Sequence, residues 1–226
     1  MRFFLVLIAA LIALVPASAA PPPPDWTRTV TMAPDGAYVL GNPAAPTRLV
    51  EYVSYTCPHC AHFVAEASAP LRDGWVRRGL VSVELRHAIR DPYDLTAALL
   101  ARCGGKARFF ANHEALFANH EAWMPQVEAY DTRRGERKFT DAAAQMVDIA
   151  TATGLGDVMA KRGLAPALQR KCLADKKAMA VIAMMAKNAW EDRKIDGTPA
   201  FAINGALVPG VHNWAGLIPA LPAPPK

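Results

Sequence analysis

The sequence predicts an α/β fold in which a central mixed sheet is split by a large α-helical insertion. Three observations lead there: a strand–helix–strand opening, about a hundred residues of helical periodicity, and a closing hairpin followed by a helix. Leu49-Val50-Glu51-Tyr52-Val53-Ser54 is an almost unbroken apolar run of strand length, and a helical pattern follows from about Cys57. Leu80 to Leu85 alternates, with Val81, Val83 and Leu85 on one face, giving the next strand. From Asp91 to about Lys194, apolar residues recur every three or four positions. The segments are Leu95 to Leu100, Phe109 to Trp123, Ala142 to Ala150 and Ala178 to Trp190. Breaks are expected at Gly104-Gly105, Pro125, Gly135, Gly154 to Gly156 and Gly163. Strand character returns at Ala200 to Ile203, Asn204-Gly205 is a hairpin dipeptide, and Ala206 to Val208 forms its second arm. A last helix is expected from Trp214 to Leu221. The strands on either side of the helices need each other, so the helices form a cap inserted into one domain. The resulting division is 21–48 as leader and first strand, 49–90 with 195–221 as core, 91–194 as helical insertion, and 222–226 as tail.

The first twenty residues are expected to be removed. Arg2 supplies a positive start, Phe3 to Val15 is apolar, and Ala17-Ser18-Ala19 offers the small residues of a cleavage site near Ala19/Ala20. The apolar stretch is shorter than the roughly 20 residues a membrane-spanning helix requires. This reads as a signal peptide. Pro21 to Pro24 then form a short stiff leader.

The formal net charge is +5, and no basic run exceeds Arg77-Arg78, Arg133-Arg134 or Lys176-Lys177. That is no footprint for nucleic acid, and such pairs read as solvated helix faces. Outside the cytoplasm disulfides persist, and the 4 cysteines fit two pairs.

Cys57-Pro58-His59-Cys60 carries the chemistry. A thiol must ionise to attack a disulfide, and three devices act on Cys57. A helix N-terminus directs unpaired N–H groups at the sulfur, His59 lies inside the motif, and Pro58 suits the first helical turn. Cys60, three residues on, lies close enough to resolve a mixed disulfide. Zinc would need about four ligands, and Cys103 and Cys172 are isolated while His59 and His62 are too adjacent to complete a cage. A c-type haem would need His after the second cysteine, and position 61 is Ala. A merely structural short-loop disulfide fits the strand-to-helix setting less well than redox chemistry does.

The run from Leu49 to Cys60 resembles the active-site segment of the DsbA family of thiol:disulfide oxidoreductases, within the thioredoxin superfamily. Gly197-Thr198-Pro199-Ala200-Phe201-Ala202-Ile203-Asn204-Gly205 resembles its second signature, and Gly36 to Pro46 the segment before its first active strand. The resemblance covers about residues 30–218 and implies a thioredoxin-like fold with the helical insertion. It implies that Cys57 is the nucleophile, that Cys60 is the buried resolving thiol, and that Pro199 is held in cis beside the sulfurs. There it would present the Thr198 backbone to a bound substrate strand. Glu51 matches a buried acid of the family, where burial would raise its pKa and make it a proton acceptor for Cys60. The alternative places Glu51 at a strand end, facing solvent. Some relatives carry a further acid where this chain has Val64, so the reduction potential does not transfer.

The leading functional reading is a dithiol oxidase that passes its Cys57–Cys60 disulfide to reduced or unfolded exported client proteins. The resemblance implies a periplasmic location and a quinone-coupled membrane reoxidase; no soluble cofactor is required, and a monomer is expected. An isomerase or reductase of the same fold is the neighbouring reading. Residues 21–48 are too short for the oligomerisation domain of related isomerases, although Thr198 before the proline suits them. From another class, the motif could clamp a soft metal in a delivery protein.

Other features receive smaller roles. Phe110 to Ala115 is repeated at Phe117 to Ala122, but on one helix His113 and His120 would stand about 10.5 Å apart, too far to share an ion. That segment reads as packing, with Phe110, Leu116 and Phe117 inward. His87 and His212 are assigned nothing, and Met179, Met184 and Met185 read as padding. Cys103 and Cys172, both near helix ends, are expected to form a structural disulfide, with two buried inert thiols as the alternative.

Overall fold

A computed structural model describes residues 24–133, 135 and 138–223. The expected signal peptide lies outside them. Six strands form one sheet: β1 (Val30–Met32), β2 (Tyr38–Leu40), β3 (Thr47–Val53), β4 (Val81–His87), β5 (Ala200–Ile203) and β6 (Ala206–Leu207). Their order is β1-β2-β4-β3-β5-β6. β3 and β4 are parallel, and every other pairing is antiparallel. This is the mixed α/β sheet of a thioredoxin-like fold.

The leader, expected to supply one strand, supplies two. β1 and β2 are three residues each, too short to show alternation, and a turn through Gly36 joins them at φ +87°. The Asp35 carboxylate accepts the Ala37 amide there, and β2 then pairs with β4.

α1 (Pro58–Leu71) connects β3 to β4 in the parallel crossover. It starts where the sequence requires, with extended Cys57 as N-cap and Pro58 in the first turn, where no donor is lost. Its last turn widens over Arg72–Val76, swinging the chain back to the start of β4.

Among the described residues the insertion holds α2 (Pro92–Arg102), α3 (Lys106–Ala118), α4 (His120–Arg133), α5 (Ala142–Ala152), α6 (Leu155–Lys161), α7 (Pro166–Leu173) and α8 (Lys176–Lys187). Aspartates cap three of them: Asp91 accepts the Asp94 amide, Asp141 that of Ala144, and Asp175 those of Lys177 and Ala178. Gly154 and Gly163 end helices at φ +78°, as expected of glycine there.

Two expected boundaries move. The helix read from Phe109 to Trp123 is broken at Asn119, whose side-chain amide takes the Ala115 carbonyl at 2.8 Å. The Asn119 carbonyl in turn accepts the Ala122 and Trp123 amides that open α4. The break expected at Pro125 does not occur. Pro125 lies inside α4 on an exposed face, where water can serve the carbonyl its missing N–H leaves free. The last helix is also shorter than expected: α9 (Trp214–Leu217) tightens into a 3₁₀ turn over Ile218–Ala220, at Pro219.

The core lies on both faces of the sheet. On one side Leu49, Val53 and Leu85 pack with Phe63 of α1 and the insertion, and Phe63 meets Phe201 at 4.8 Å between ring centroids. On the other, Val50, Tyr52 and Ala202 pack with Ala189 and Ile195. β3 is therefore buried on both sides, as its unbroken apolar run requires.

Cys103 and Cys172 are joined as a disulfide with Cα atoms 5.6 Å apart, linking the end of α2 to α7 across 69 residues. On the chain-entropy argument a loop of that length stabilises by about 4 kcal/mol. Replacing both cysteines by serine is expected to lower unfolding free energy by roughly that amount in denaturant titrations. An unchanged midpoint would contradict it.

Candidate active site

The site is built at the C-terminal end of β3, where Ser54 to Thr56 turn the chain into α1. A cluster at the start of α2 fixes this turn. The buried Asp94 carboxylate accepts the Tyr55 amide at 2.7 Å and the Arg90 amide at 3.2 Å. Arg90 donates through Nε to the Ser54 hydroxyl at 2.9 Å and through Nη2 to the Thr56 hydroxyl at 3.2 Å. Thr56 donates in turn to Asp91 at 2.6 Å. Burial raises the Asp94 pKa to about 7, against the hydrogen bonds from Ser54 and the backbone. The sequence reading missed Arg90, Asp91 and Asp94. The Asp-Pro of Asp91-Pro92 marks a helix start, but its packing against the Cys57 turn depends on the β4-to-α2 connection.

Cys57 and Cys60 are both reduced and buried, with 3% and 0% of their surface exposed. Their chemistry is divided. The Cys57 pKa is lowered to about 4, chiefly by the hydrogen bond from the Cys60 thiol. Burial opposes that shift, while the Thr198 hydroxyl, the Cys60 amide and the Arg90 charge assist it. Cys60 is pushed well above the ordinary thiol value, first by burial and then by the hydrogen bond and charge of Cys57. His59 is exposed in the first turn of α1.

The Thr198–Pro199 peptide bond is cis. Pairing of Ala200 with Tyr52 brings it to the end of β3, and the Thr198 carbonyl lies 3.1 Å from Cys57 Sγ, accepting from it only when the thiol is protonated. His212, assigned nothing from the sequence, holds this loop from behind. Its Nδ1 is 2.8 Å from the Pro199 carbonyl oxygen, and its Nε2 is 3.6 Å from Asp196.

Glu51 is 5% exposed, inside β3 and not at a solvent-facing end. Burial raises its pKa to about 8. It lines a cavity of about 40 Å³ together with Phe63, Arg72, His113 and Glu114, enough for water.

His113 and His120 stand on different helices and do different things. His113 is buried, its pKa lowered by burial to about 3, and its Nδ1 lies 2.9 Å from the Tyr55 hydroxyl. His120 is 7% exposed with an unpartnered Nε2. Burial lowers its pKa, and the nearby Cys57 opposes that shift. Among the described residues, no group of three His, Cys, Asp or Glu side chains is placed to hold a metal ion. No described helix is long and apolar enough to cross a membrane.

The Thioredoxin family model matches residues 34–221. A protein of Rickettsia conorii, named provisionally as a protein-disulfide oxidoreductase, is 27% identical over 172 residues, covering 76% of this chain and 54% of that one. The corresponding Rickettsia prowazekii protein is 28% identical over 172 residues, covering 76% and 55%. The chain thus spans about half the length of these curated relatives. The crystal structure of a protein-disulfide isomerase from Novosphingobium aromaticivorans superposes with a TM-score of 0.73 at 38% identity, over 80% of this chain and 93% of that one. That of alpha-DsbA1 from Wolbachia pipientis shares the fold with a TM-score of 0.64 at 22% identity, over 84% and 90%. Sheet order, the cis proline beside Cys57 and the match over residues 34–221 agree: the chain belongs to the thioredoxin family.

Proposed function

We propose that this chain is an exported, periplasmic protein thiol:disulfide oxidoreductase that acts as a dithiol oxidase. The observation that carries the proposal is the division between the two thiols, with Cys57 ionised at neutral pH and Cys60 held protonated. A client thiolate attacks Cys57 Sγ of the oxidised pair, the Cys57–Cys60 bond breaks, and Cys60 leaves with the electron pair. Cys60 then takes up a proton, for which buried Glu51, protonated below about pH 8, is the donor. A second client thiolate attacks the client sulfur of the mixed disulfide. Cys57 departs as the stabilised thiolate, and the client leaves oxidised by two electrons. Those electrons pass to a quinone-coupled membrane reoxidase, and in that step Glu51 accepts the Cys60 proton. The clients are reduced or unfolded exported proteins, and the chain works as a monomer.

Isomerase activity is the second reading, favoured by the name of the 38% identical Novosphingobium aromaticivorans protein. Two substrates separate them. An oxidase restores activity to a reduced client when supplied in its oxidised form, whereas an isomerase rescues a scrambled client when supplied in its reduced form. Faster rescue of the scrambled client would overturn the oxidase reading.

Alkylation of the reduced protein across pH is expected to titrate Cys57 near pH 4 while Cys60 stays unreactive to the top of the accessible range. A Cys57 that titrates like a free cysteine would contradict the mechanism. Stability should carry the same signature. Because folding depresses the Cys57 pKa, its contribution to the reduced form is complete above the free-thiol pKa and is lost as pH falls toward about 4. The stability of the reduced protein relative to the oxidised protein is therefore expected to rise with pH across that window.

Glu51 acts with the opposite sign. Its pKa rises from 4.5 to about 8 on folding, so the native state holds the extra proton and stability falls as pH rises between those values. Glu51→Gln is expected to remove that slope, to shift the pH dependence of the Cys60 step, and to leave attack at Cys57 unaltered. Identical stability and kinetic profiles in the variant would remove Glu51 from the mechanism.

A further inference from the structure

Beside Cys57 runs a groove that the exchange chemistry does not use. α1 forms one wall and the α3–α4 corner the other. Its main section is about 410 Å³ and begins at Pro58. A second section of about 180 Å³ continues it along α1 to Ser68 and Glu114, sharing Ala61, Ala65, Phe117 and Ala118. The floor is therefore small and apolar.

Two features make this a place for a polypeptide with a specific charge. Glu66 and Glu121 line the groove and are exposed, and neither forms an ion pair with a Lys or Arg among the described residues. His120, 7% exposed, also lines it, and its Nε2 has no partner. A buried ring nitrogen without a partner carries a desolvation cost that a main-chain group entering the groove would relieve. Nine helical residues separate Cys57 from Glu66, roughly 14 Å along α1. An extended chain covers that span in about four residues.

We infer that this groove seats the client segment flanking the reacting cysteine, as an extended chain whose small apolar side chains lie on Ala61, Ala65 and Ala118. In that pose His120 meets the client backbone, and Glu66 with Glu121 selects a basic residue about four positions from the cysteine. The inference rests on the oxidoreductase reading and adds a specificity to it. The groove begins at Pro58, the residue after Cys57, which places that strand on the chain under attack.

The test is single-turnover oxidation of short synthetic dithiol peptides by the oxidised full-length protein. The peptides carry Lys or Glu four residues from the terminal cysteine, on its N-terminal or C-terminal side. In each turnover the peptide loses two electrons and two protons as its disulfide forms, and the Cys57–Cys60 disulfide is reduced. Lys is expected to outpace Glu about fivefold at low salt on one side of the cysteine, an effect of the size exposed charge pairs produce. The ratio should shrink at high salt. The double substitution Glu66→Gln with Glu121→Gln is expected to bring it below about twofold, and Ala65→Leu, at an exposed position, to slow both peptides by filling the floor. Equal rates for Lys and Glu, or a ratio unchanged in the double variant, would overturn the inference. So would concentration-dependent self-association that competes with the peptides, which would give the groove to a second copy of the chain. Glutathione, too small to span the groove, keeps the two readings apart. Wild-type reaction with glutathione alongside equal peptide rates rejects the groove only, and no reaction with any thiol rejects the redox function itself.

Discussion

The amide of Tyr55 donates to the carboxylate of Asp94, and the placement of the reactive sulfur follows from that bond. Leaving β3, the chain must stop pairing, turn, and present Cys57 in extended conformation at the head of α1. Each residue of the turn is held from the α2 side, through Asp94, Arg90 or Asp91. The same cluster adds the positive charge of Arg90 behind the sulfur. The cluster thus positions the thiol and adds a smaller charge contribution to an ionisation that the hydrogen bond from Cys60 dominates. The low thiolate pKa is not a property of the four-residue motif alone.

The insertion extends that logic. Tyr55 is fully buried, its ring stacked on Phe117 at 4.9 Å and its hydroxyl paired with His113. His87 is enclosed beside it with neither ring nitrogen bonded. Burial keeps both imidazoles uncharged by lowering their pKa values. The helical cap is therefore seated on the sheet through aromatic faces and neutral polar groups, and the charge near the sulfurs stays with Arg90, Asp91 and the thiolate.

Much of this was legible from residue order. The buried run of β3, the alternation of β4, the Asn204-Gly205 hairpin and the helical stretch between them lead to the sheet that is found, because each depends on local periodicity. Cys57, Cys60 and Pro199 were singled out from two short motifs, and the fold brings the three together. What escaped was set by tertiary contact. β1 and β2 are strands only because β4 offers an edge. Asn119 breaks a helix by taking a carbonyl that periodicity would have left to the ladder. His120 was set aside on the spacing of one continuous helix, and that break is what carries it to the mouth of the site. Arg90 and His212 lie far from their partners in sequence, and no local pattern marks either.

Under the proposed exchange chemistry, the Cys103–Cys172 bond takes on a particular meaning. Each turnover of the proposed reaction would bring a client thiolate to Cys57, and the chain carries a second sulfur bridge of its own that the same reaction could open. Exchange requires the attacking sulfur to approach along the bond it breaks. Cys103 is 2% exposed, and its partner is half-buried on α7. Burial of Cys103 thereby closes one of the two directions from which a thiolate could attack the permanent bridge.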